Sequence, residues 1–142
     1  MPTKVACFLD TNILLYAALG RVDDPEKFRI SRALLAAWDF GLSSQVLGEF
    51  FVNAQRKSRR PLRADEATAF VAELQDRPCA PIDRSLVDTA INYARRFQIS
   101  YWDAAIVAAA ERLDAPVIYS EDFNHGQAYG VVRVENPFRA TS

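Results

Sequence analysis

Four acidic side chains in this sequence lie where chemistry on an anionic substrate is possible. Asp10 directly follows the apolar run Val5–Leu9, and Asp122 comes shortly after a second apolar run, Pro116–Ser120. Apolar runs without alternation are typical of buried strands in a parallel sheet. Ligands of open α/β sheets bind at the carboxyl ends of such strands. We therefore expect both acids at the same edge of one sheet.

The other two acids lie on predicted helices. Asp103 is in the first turn of a helix for which Ser100 is the predicted N-cap. Glu49 belongs to a helix that is otherwise lined with bulky apolar residues, and it shares a polar stripe with Gln45 and Asn53. All four acids could therefore line one site.

Each acid also has a purely structural interpretation. Asp10 could be only a helix N-cap, and Asp103 only the third residue of a capping box. Glu49 could be exposed to solvent, and Asp122 could be an ordinary turn residue. The case for a site therefore depends on the four acids acting together.

If the carboxylates converge, they raise one another's pKa, and burial raises it further. A hard divalent cation removes this conflict, and all-oxygen ligand sets suit Mg²⁺ or Mn²⁺. Zinc has no ligand set here, because His125 is the single histidine and Cys7 and Cys79 lack metal-ligand spacing. A cation held by carboxylates and waters is the usual means of promoting phosphoryl chemistry. The sequence thus indicates metal-assisted hydrolysis of a phosphate ester.

Charge is nearly balanced, with 17 Lys and Arg against 18 Asp and Glu. The distribution is more informative, because five basic residues fall within eight positions. They are Arg56, Lys57, Arg59, Arg60 and Arg63. Such a cluster is either a local footprint for an anionic partner or a solvated helix end and loop.

The pattern along the chain alternates strands with helices, so the predicted class is α/β with a mainly parallel sheet. The predicted strands are Val5–Leu9, Ala80–Ile82, Pro116–Ser120 and Val131–Val134. The predicted helices are Ile13–Leu19, Phe28–Phe40, one capped by Ser43 or Ser44, Ala64–Leu74, one opening at Ser85 with Ile91 among its inward residues, and Ser100–Leu113.

The length of 142 residues predicts a single domain over residues 1–142. Two cysteines without metal-ligand spacing are expected to be reduced core thiols of an intracellular protein, which places it in the cytoplasm. The N-terminus does not resemble a signal peptide, and no apolar run approaches the roughly 18 residues of a membrane span.

Four segments resemble the acidic motifs of the PIN domain. They are FLDTN around Asp10, the lone Glu49 in an early helix, YWDAAIVAAA around Asp103 and YSEDF around Asp122. The closing VRVENPF is similar to the tail of VapC-type toxins from bacterial toxin–antitoxin pairs. The order and spacing of four motifs are far more specific than any one of them.

This resemblance implies a PIN-like three-layer fold, with a mainly parallel central sheet flanked by helices. It implies a Mg²⁺-dependent endoribonuclease, usually a homodimer, that acts on single-stranded or loop RNA and is inhibited by a cognate antitoxin. Asp10 and Asp103 would be the principal metal ligands, and Asp122 and Glu49 would act directly or through waters. Residues that orient these ligands by hydrogen bonds would be Thr11, Asn12 and Ser120.

Contacts with RNA phosphates are expected from Arg56, Lys57, Arg59 and Arg60, with Arg63, Arg95 and Arg96 as further candidates. Tyr101 and Trp102 could stack on a base, although packing at the mouth of the site or in a dimer interface is the preferred interpretation.

Several alternatives are open. Glu121 could replace Asp122 as the fourth acid, and His125 could act as a base, although it lies in a predicted turn. A phosphatase of the haloacid dehalogenase type also has an aspartate after the first strand, but it needs a second acid where this chain has Asn12. A PIN-like fold that binds RNA or protein without catalysis is the other alternative.

Overall fold

The computed structural model describes residues 5–56 and 58–139, which leaves Lys57 of the basic cluster outside the described residues. The described residues form six strands in one sheet, in the order β3-β2-β1-β4-β6-β5. The strands are β1 (Cys7–Leu9), β2 (Phe40–Ser43), β3 (Cys79–Ala80), β4 (Val117–Tyr119), β5 (Ala128–Tyr129) and β6 (Val132–Glu135). All neighbours are parallel except the antiparallel pair β5–β6. The predicted α/β class with a mainly parallel sheet is confirmed.

Strand β1 lies at the centre of the sheet, between β2 and β4. Phe8 stands opposite Gly41 on one side and Ile118 on the other, and Phe8 and Leu9 are fully buried. Burial on both faces explains why β1 reads as an uninterrupted apolar run. The polar residues after β1 and β4 are thereby brought next to each other.

Six helices connect the strands of the described residues, and each corresponds to a predicted helix. They are α1 (Thr11–Asp23), α2 (Pro25–Ala37), α3 (Ser44–Ala54), α4 (Ala64–Ala72), α5 (Arg84–Phe97) and α6 (Tyr101–Arg112). Helix α6 is buried continuously from Ala104 to Ala110. Small alanine side chains allow this helix to lie close against its neighbours on several sides.

Strand β2 corrects the prediction of a helix from Phe28 to Phe40. The helix ends at Ala37, because Trp38 adopts a left-handed conformation with φ 56° and closes its C-terminus. Phe40 then begins a buried strand. A Cβ atom on Gly41 would lie 2.6 Å from Leu113 Cδ1, so a larger residue at this strand position would displace the Leu113 side chain. Strand β5 was also not predicted.

Two burial predictions were wrong. Cys7 is a buried thiol as expected, but Cys79 is exposed at the start of the short edge strand β3. Ile91, predicted to face inward from α5, is 46% exposed. Among the described helices, none has the length and apolar character that crossing a membrane requires.

Candidate active site

Asp10 is buried at the junction of β1 and α1, where it is the N-cap of α1. Its Oδ1 accepts a hydrogen bond from the Thr11 amide at 2.7 Å, and its Oδ2 accepts one from Ser120 Oγ at 2.7 Å. Both donors are neutral, so they fix the orientation of the carboxylate without neutralising its charge. The capping role and a place in the site coexist in one side chain.

Ser120 joins the ends of β1 and β4. It is fully buried, and besides donating to Asp10 it accepts from Asn12 Nδ2 at 3.2 Å and from the Asp122 amide at 3.1 Å. Asn12 Nδ2 also donates to Asp122 Oδ2 at 3.0 Å. The two aspartates are therefore held by one connected network of Ser120 and Asn12.

Glu49 is tied to the same region from α3. Thr11 Oγ1 donates to Glu49 Oε1 at 2.8 Å. Gln45 and Asn53, the predicted polar stripe, lie beside Glu49 in the lining of one cavity. Glu49 thus faces the site, and the interpretation as a residue directed only to solvent is wrong.

Asp103 joins the cavity from the first turn of α6. Its amide donates to the N-cap Ser100 Oγ at 3.1 Å, which is one half of the predicted capping box. The cavity has a volume of about 230 Å³ and contains all four predicted acids in its lining. The lining residues are Asp10, Thr11, Asn12, Leu15, Gln45, Glu49, Asn53, Trp102, Asp103, Ile106 and Asp122.

The cavity carries uncompensated negative charge. Burial raises the pKa of Asp10 to about 6, against the lowering effect of its hydrogen bonds, and the charges of Asp122 and Glu49 add to the increase. The pKa of Asp103 is raised mainly by burial and also by Asp122. None of the ion pairs found within residues 5–56 and 58–139 involves these four acids.

The four carboxylates surround the cavity rather than converge on a point. In the part of the chain that the structure describes, no three His, Cys, Asp or Glu side chains are close enough to hold one ion. Mg²⁺, however, retains several waters and is commonly bound through one or two carboxylates. A cavity of about 230 Å³ that offers carboxylate, hydroxyl and amide oxygens and a negative charge therefore fits a hydrated divalent ion.

Glu121 lies outside this cavity, although it precedes Asp122 in the sequence. Its carboxylate accepts from Lys27 Nζ at 2.8 Å and from the Tyr16 hydroxyl. Sequence reasoning missed these partners, and no local pattern marks them, because they lie 94 and 105 positions away along the chain. Of the two neighbouring acids, Asp122 is the one that faces the acidic cavity.

His125 lies in the segment between β4 and β5, where its Nδ1 accepts from the Asn136 amide at 3.0 Å. It is exposed and does not line the cavity. This position agrees with the predicted turn and gives no support to a base role.

Arg59 of the basic cluster lies at the far end of α1. Arg56, Arg59 and Arg60 are exposed, and the Arg59 amide donates to Asp23 Oδ1 at 3.1 Å. Helix α1 has 13 residues, which places Asp23 about 20 Å from Asp10 at 1.5 Å per residue. Arg59 is therefore at a distance from the four acids.

A second cavity of about 220 Å³ adjoins the acidic cavity. It shares Asn12, Leu15 and Asp122 with the acidic cavity and extends along α1 to Asp23. Arg63, the last member of the basic cluster, pairs with acids of α4. The candidates outside the cluster, Arg95 and Arg96, lie in the last turn of α5.

Comparisons with known proteins agree with this architecture. The family model of the PIN domain matches residues 7–131. A toxin–antitoxin complex from Klebsiella pneumoniae is similar in structure, with a TM-score of 0.68, 16% identity and coverage of 94% of this chain and 99% of that chain. No curated protein matches at the level of sequence.

Two further solved structures have the same fold. VapC20 of Mycobacterium tuberculosis, described as a toxin that cleaves the sarcin–ricin loop, has a TM-score of 0.65 and 18% identity over 82% of this chain and 89% of that chain. VapBC2 of Rickettsia felis, bound to a promoter DNA fragment, has a TM-score of 0.63 and 16% identity over 92% of this chain and 97% of that chain. At these identities the similarity establishes the fold.

Proposed function

This chain belongs to the PIN-domain family, and we propose that it is a metal-dependent endoribonuclease that hydrolyses RNA phosphodiester bonds. The observation that carries the proposal is the meeting of four carboxylates in one cavity, without an ion-pair partner among the described residues. Carboxylates gathered in one cavity repel one another unless a cation is bound between them. Asn12 stands where a haloacid dehalogenase-type phosphatase needs its second acid, and its amide bonds to Ser120 and Asp122 instead.

In this proposal Asp10 and Asp103 would hold Mg²⁺ or Mn²⁺, with Asp122 and Glu49 contributing directly or through waters. The ion supplies Lewis acidity toward a phosphoryl oxygen and makes an attacking water more acidic. A carboxylate of the same set orients that water and accepts its proton. Hydrogen bonds from Thr11, Asn12 and Ser120 keep these carboxylates in place.

We further propose that the chain is the toxin of a toxin–antitoxin pair. Support comes from solved structures with this fold, whose descriptions name VapC toxins and toxin–antitoxin complexes. The partners would be RNA as substrate, a cognate antitoxin and a second copy of the chain in a homodimer, all in the cytoplasm. The exposed Arg56, Arg59 and Arg60 would bind RNA phosphates.

Removal of the metal tests the enzymatic proposal directly. The purified chain is expected to cleave single-stranded RNA with Mg²⁺, to stop when EDTA is added, and to recover with excess Mg²⁺ or Mn²⁺. Gel analysis of end-labelled RNA measures the products. Cleavage that persists in EDTA would contradict the metal role, and binding without cleavage in either ion would favour the non-catalytic alternative.

Ser120→Ala tests the network that positions the carboxylates. The substitution removes the donor to Asp10 Oδ2 and the acceptor for Asn12 and the Asp122 amide. We expect a loss of about 10- to 100-fold in metal affinity, measured by Mg²⁺ titration of the cleavage rate.

Ser31→Ala is the matched control for this substitution. Ser31 is also fully buried, and its Oγ has no hydrogen-bond partner among the described residues. Removal of an unpaired buried hydroxyl is expected to leave activity unchanged and stability unchanged or slightly raised. A Ser120→Ala variant with the Mg²⁺ titration curve of the parent protein would show that the network has no positioning role.

A further inference from the structure

We propose that the Trp102 indole is the base-binding surface of this site, on which an unpaired base of single-stranded RNA stacks beside the acidic cavity. The inference rests on the proposed nuclease function and adds the feature that selects unpaired nucleotides. The sequence analysis preferred a packing role for Trp102, and this proposal replaces that interpretation.

The exposure of Trp102 is the first observation. Its side chain is 63% exposed, whereas Tyr101 beside it is partly buried and packs against the core. Trp102 lines the same cavity as Asp10, Asp103 and Asp122. A large aromatic surface therefore stays in solvent directly beside the four acids. Its exposure contributes nothing to the stability of the folded chain.

Trp102 is also held in a defined position. It is the second residue of α6, and its backbone oxygen accepts a hydrogen bond from Gln45 Nε2 at 3.4 Å. The Tyr101 ring meets the indole in an edge arrangement, with centroids 5.0 Å apart and an interplanar angle of 79°. Because the Tyr101 ring packs against the indole, the indole loses less conformational entropy when a base stacks on it than an unsupported ring would lose.

The negative charge of the cavity favours stacking over ion pairing as the contact that binds RNA here. The lining combines four carboxylates with neutral polar and apolar side chains, and it includes no Lys or Arg from residues 5–56 and 58–139. RNA is a polyanion, and Arg59 lies beside Asp23 at the far end of α1. Stacking on an indole does not depend on charge, so it supplies affinity where electrostatics cannot.

Tryptophan fluorescence tests the stacking contact independently of cleavage. The chain has two tryptophans, so Trp38→Phe leaves Trp102 as the single reporter. In an Asp10→Asn, Trp38→Phe protein with Mg²⁺, a short single-stranded RNA is expected to quench the emission. An RNA of equal length made of abasic nucleotides, and a blunt duplex, are expected to quench it far less. Equal quenching by the abasic strand would overturn the proposal.

Affinity measurements provide the second test. Trp102→Ala is expected to weaken RNA binding roughly 5- to 100-fold, and Trp102→Phe to recover most of the loss. The slope of log K against log salt concentration is expected to stay unchanged for Trp102→Ala. Arg60→Gln, the matched control, is expected to reduce this slope and to leave the Trp102 fluorescence response intact.

The outcomes separate this inference from the proposed function. RNA cleavage by the parent protein, with unchanged binding by Trp102→Ala, would reject the stacking surface and retain the nuclease. Base-dependent quenching, without cleavage by the parent protein, would reject the nuclease and retain the stacking surface. A Trp102→Ala protein that binds RNA normally but changes from dimer to monomer in sedimentation would place the indole in a subunit interface and overturn the inference.

Discussion

Asp10→Asn and Asp103→Asn are each expected to lower RNA cleavage by between about 10² and 10⁴-fold while the fold survives. Asparagine preserves the shape of the side chain, and at position 10 it is as good an N-cap as aspartate. It lacks the negative charge that would hold a divalent ion in the cavity. Initial cleavage rates at saturating Mg²⁺, with circular dichroism to check folding, measure the effect.

Glu121→Gln is the matched control, because it removes one negative charge next to Asp122 but outside the acidic cavity. The carboxylate of Glu121 pairs with Lys27, and loss of such a partly exposed pair has a small effect. We expect cleavage within about 3-fold of the parent protein. A decrease as large as that of Asp10→Asn would show that Glu121, and not Asp122, is the fourth acid.

The toxin proposal adds a cellular readout to the same variants. Expression of the parent chain without its antitoxin is expected to arrest bacterial growth, and expression of Asp10→Asn or Asp103→Asn is not. Either variant cutting RNA at the parental rate would show that the assigned roles are wrong.

The edge of the sheet that carries Asp10 and Ser120 could be predicted from the sequence because the signals are local. A strand buried on both faces reads as an apolar run, and the polar residues that follow it must leave the sheet at its carboxyl end. The capping of α1 and α6 was predictable for the same reason. The position of Asp10 follows from a few neighbouring residues.

The placement of Glu49 and Asp103 around the same cavity as Asp10 is a different kind of prediction. Helix periodicity places Glu49 on a polar stripe, but it cannot say which neighbour that stripe faces. The order of the four motifs supplied this information through the family resemblance. The pairing of Glu121 with Lys27 was not predictable in either way, since it depends on how α2 packs beside the end of β4.

Strand β2 was missed because two signals pointed away from it. The apolar spacing of α2 continues to Phe40, and Gly41 is a residue that strands normally avoid. The absence of a side chain on Gly41 leaves space that Leu113 and Val5 occupy in the folded protein. The left-handed Trp38 that ends α2 gives no signal either, since a bulky residue rarely adopts this conformation.

Asp10→Asn, which is expected to impair cleavage, is also expected to stabilise the metal-free protein at neutral pH. Burial and the charges of Asp122 and Glu49 raise the pKa of Asp10 from 3.8 to about 6. Between these values the folded protein binds more protons than the unfolded chain, so the free energy of unfolding falls as the pH rises through this window. A difference of about two pKa units lowers the free energy of unfolding by roughly 3 kcal/mol. This destabilisation is fully present above pH 6 and absent below pH 4.

Urea unfolding in EDTA at pH 4 and at pH 7 measures this effect. Asp10→Asn is expected to match the parent protein at pH 4 and to exceed it by about 1 to 3 kcal/mol at pH 7. The lower limit allows for the amide group that then meets Ser120 Oγ, where the carboxylate accepts a hydrogen bond. Asp76→Asn, at an exposed position, makes the same change in net charge and is expected to alter neither value.

Magnesium separates the electrostatic origin of this effect from a simple improvement in packing. If crowded negative charge destabilises the site, Mg²⁺ raises the stability of the parent protein at pH 7 by mass action and raises that of Asp10→Asn much less. The advantage of the variant in EDTA then shrinks or reverses as Mg²⁺ is added. Parallel stability curves for the two proteins at every pH and Mg²⁺ concentration would mean that the charge of Asp10 is tolerated without a cation. The destabilisation of the metal-free cavity is therefore the thermodynamic counterpart of its affinity for the ion.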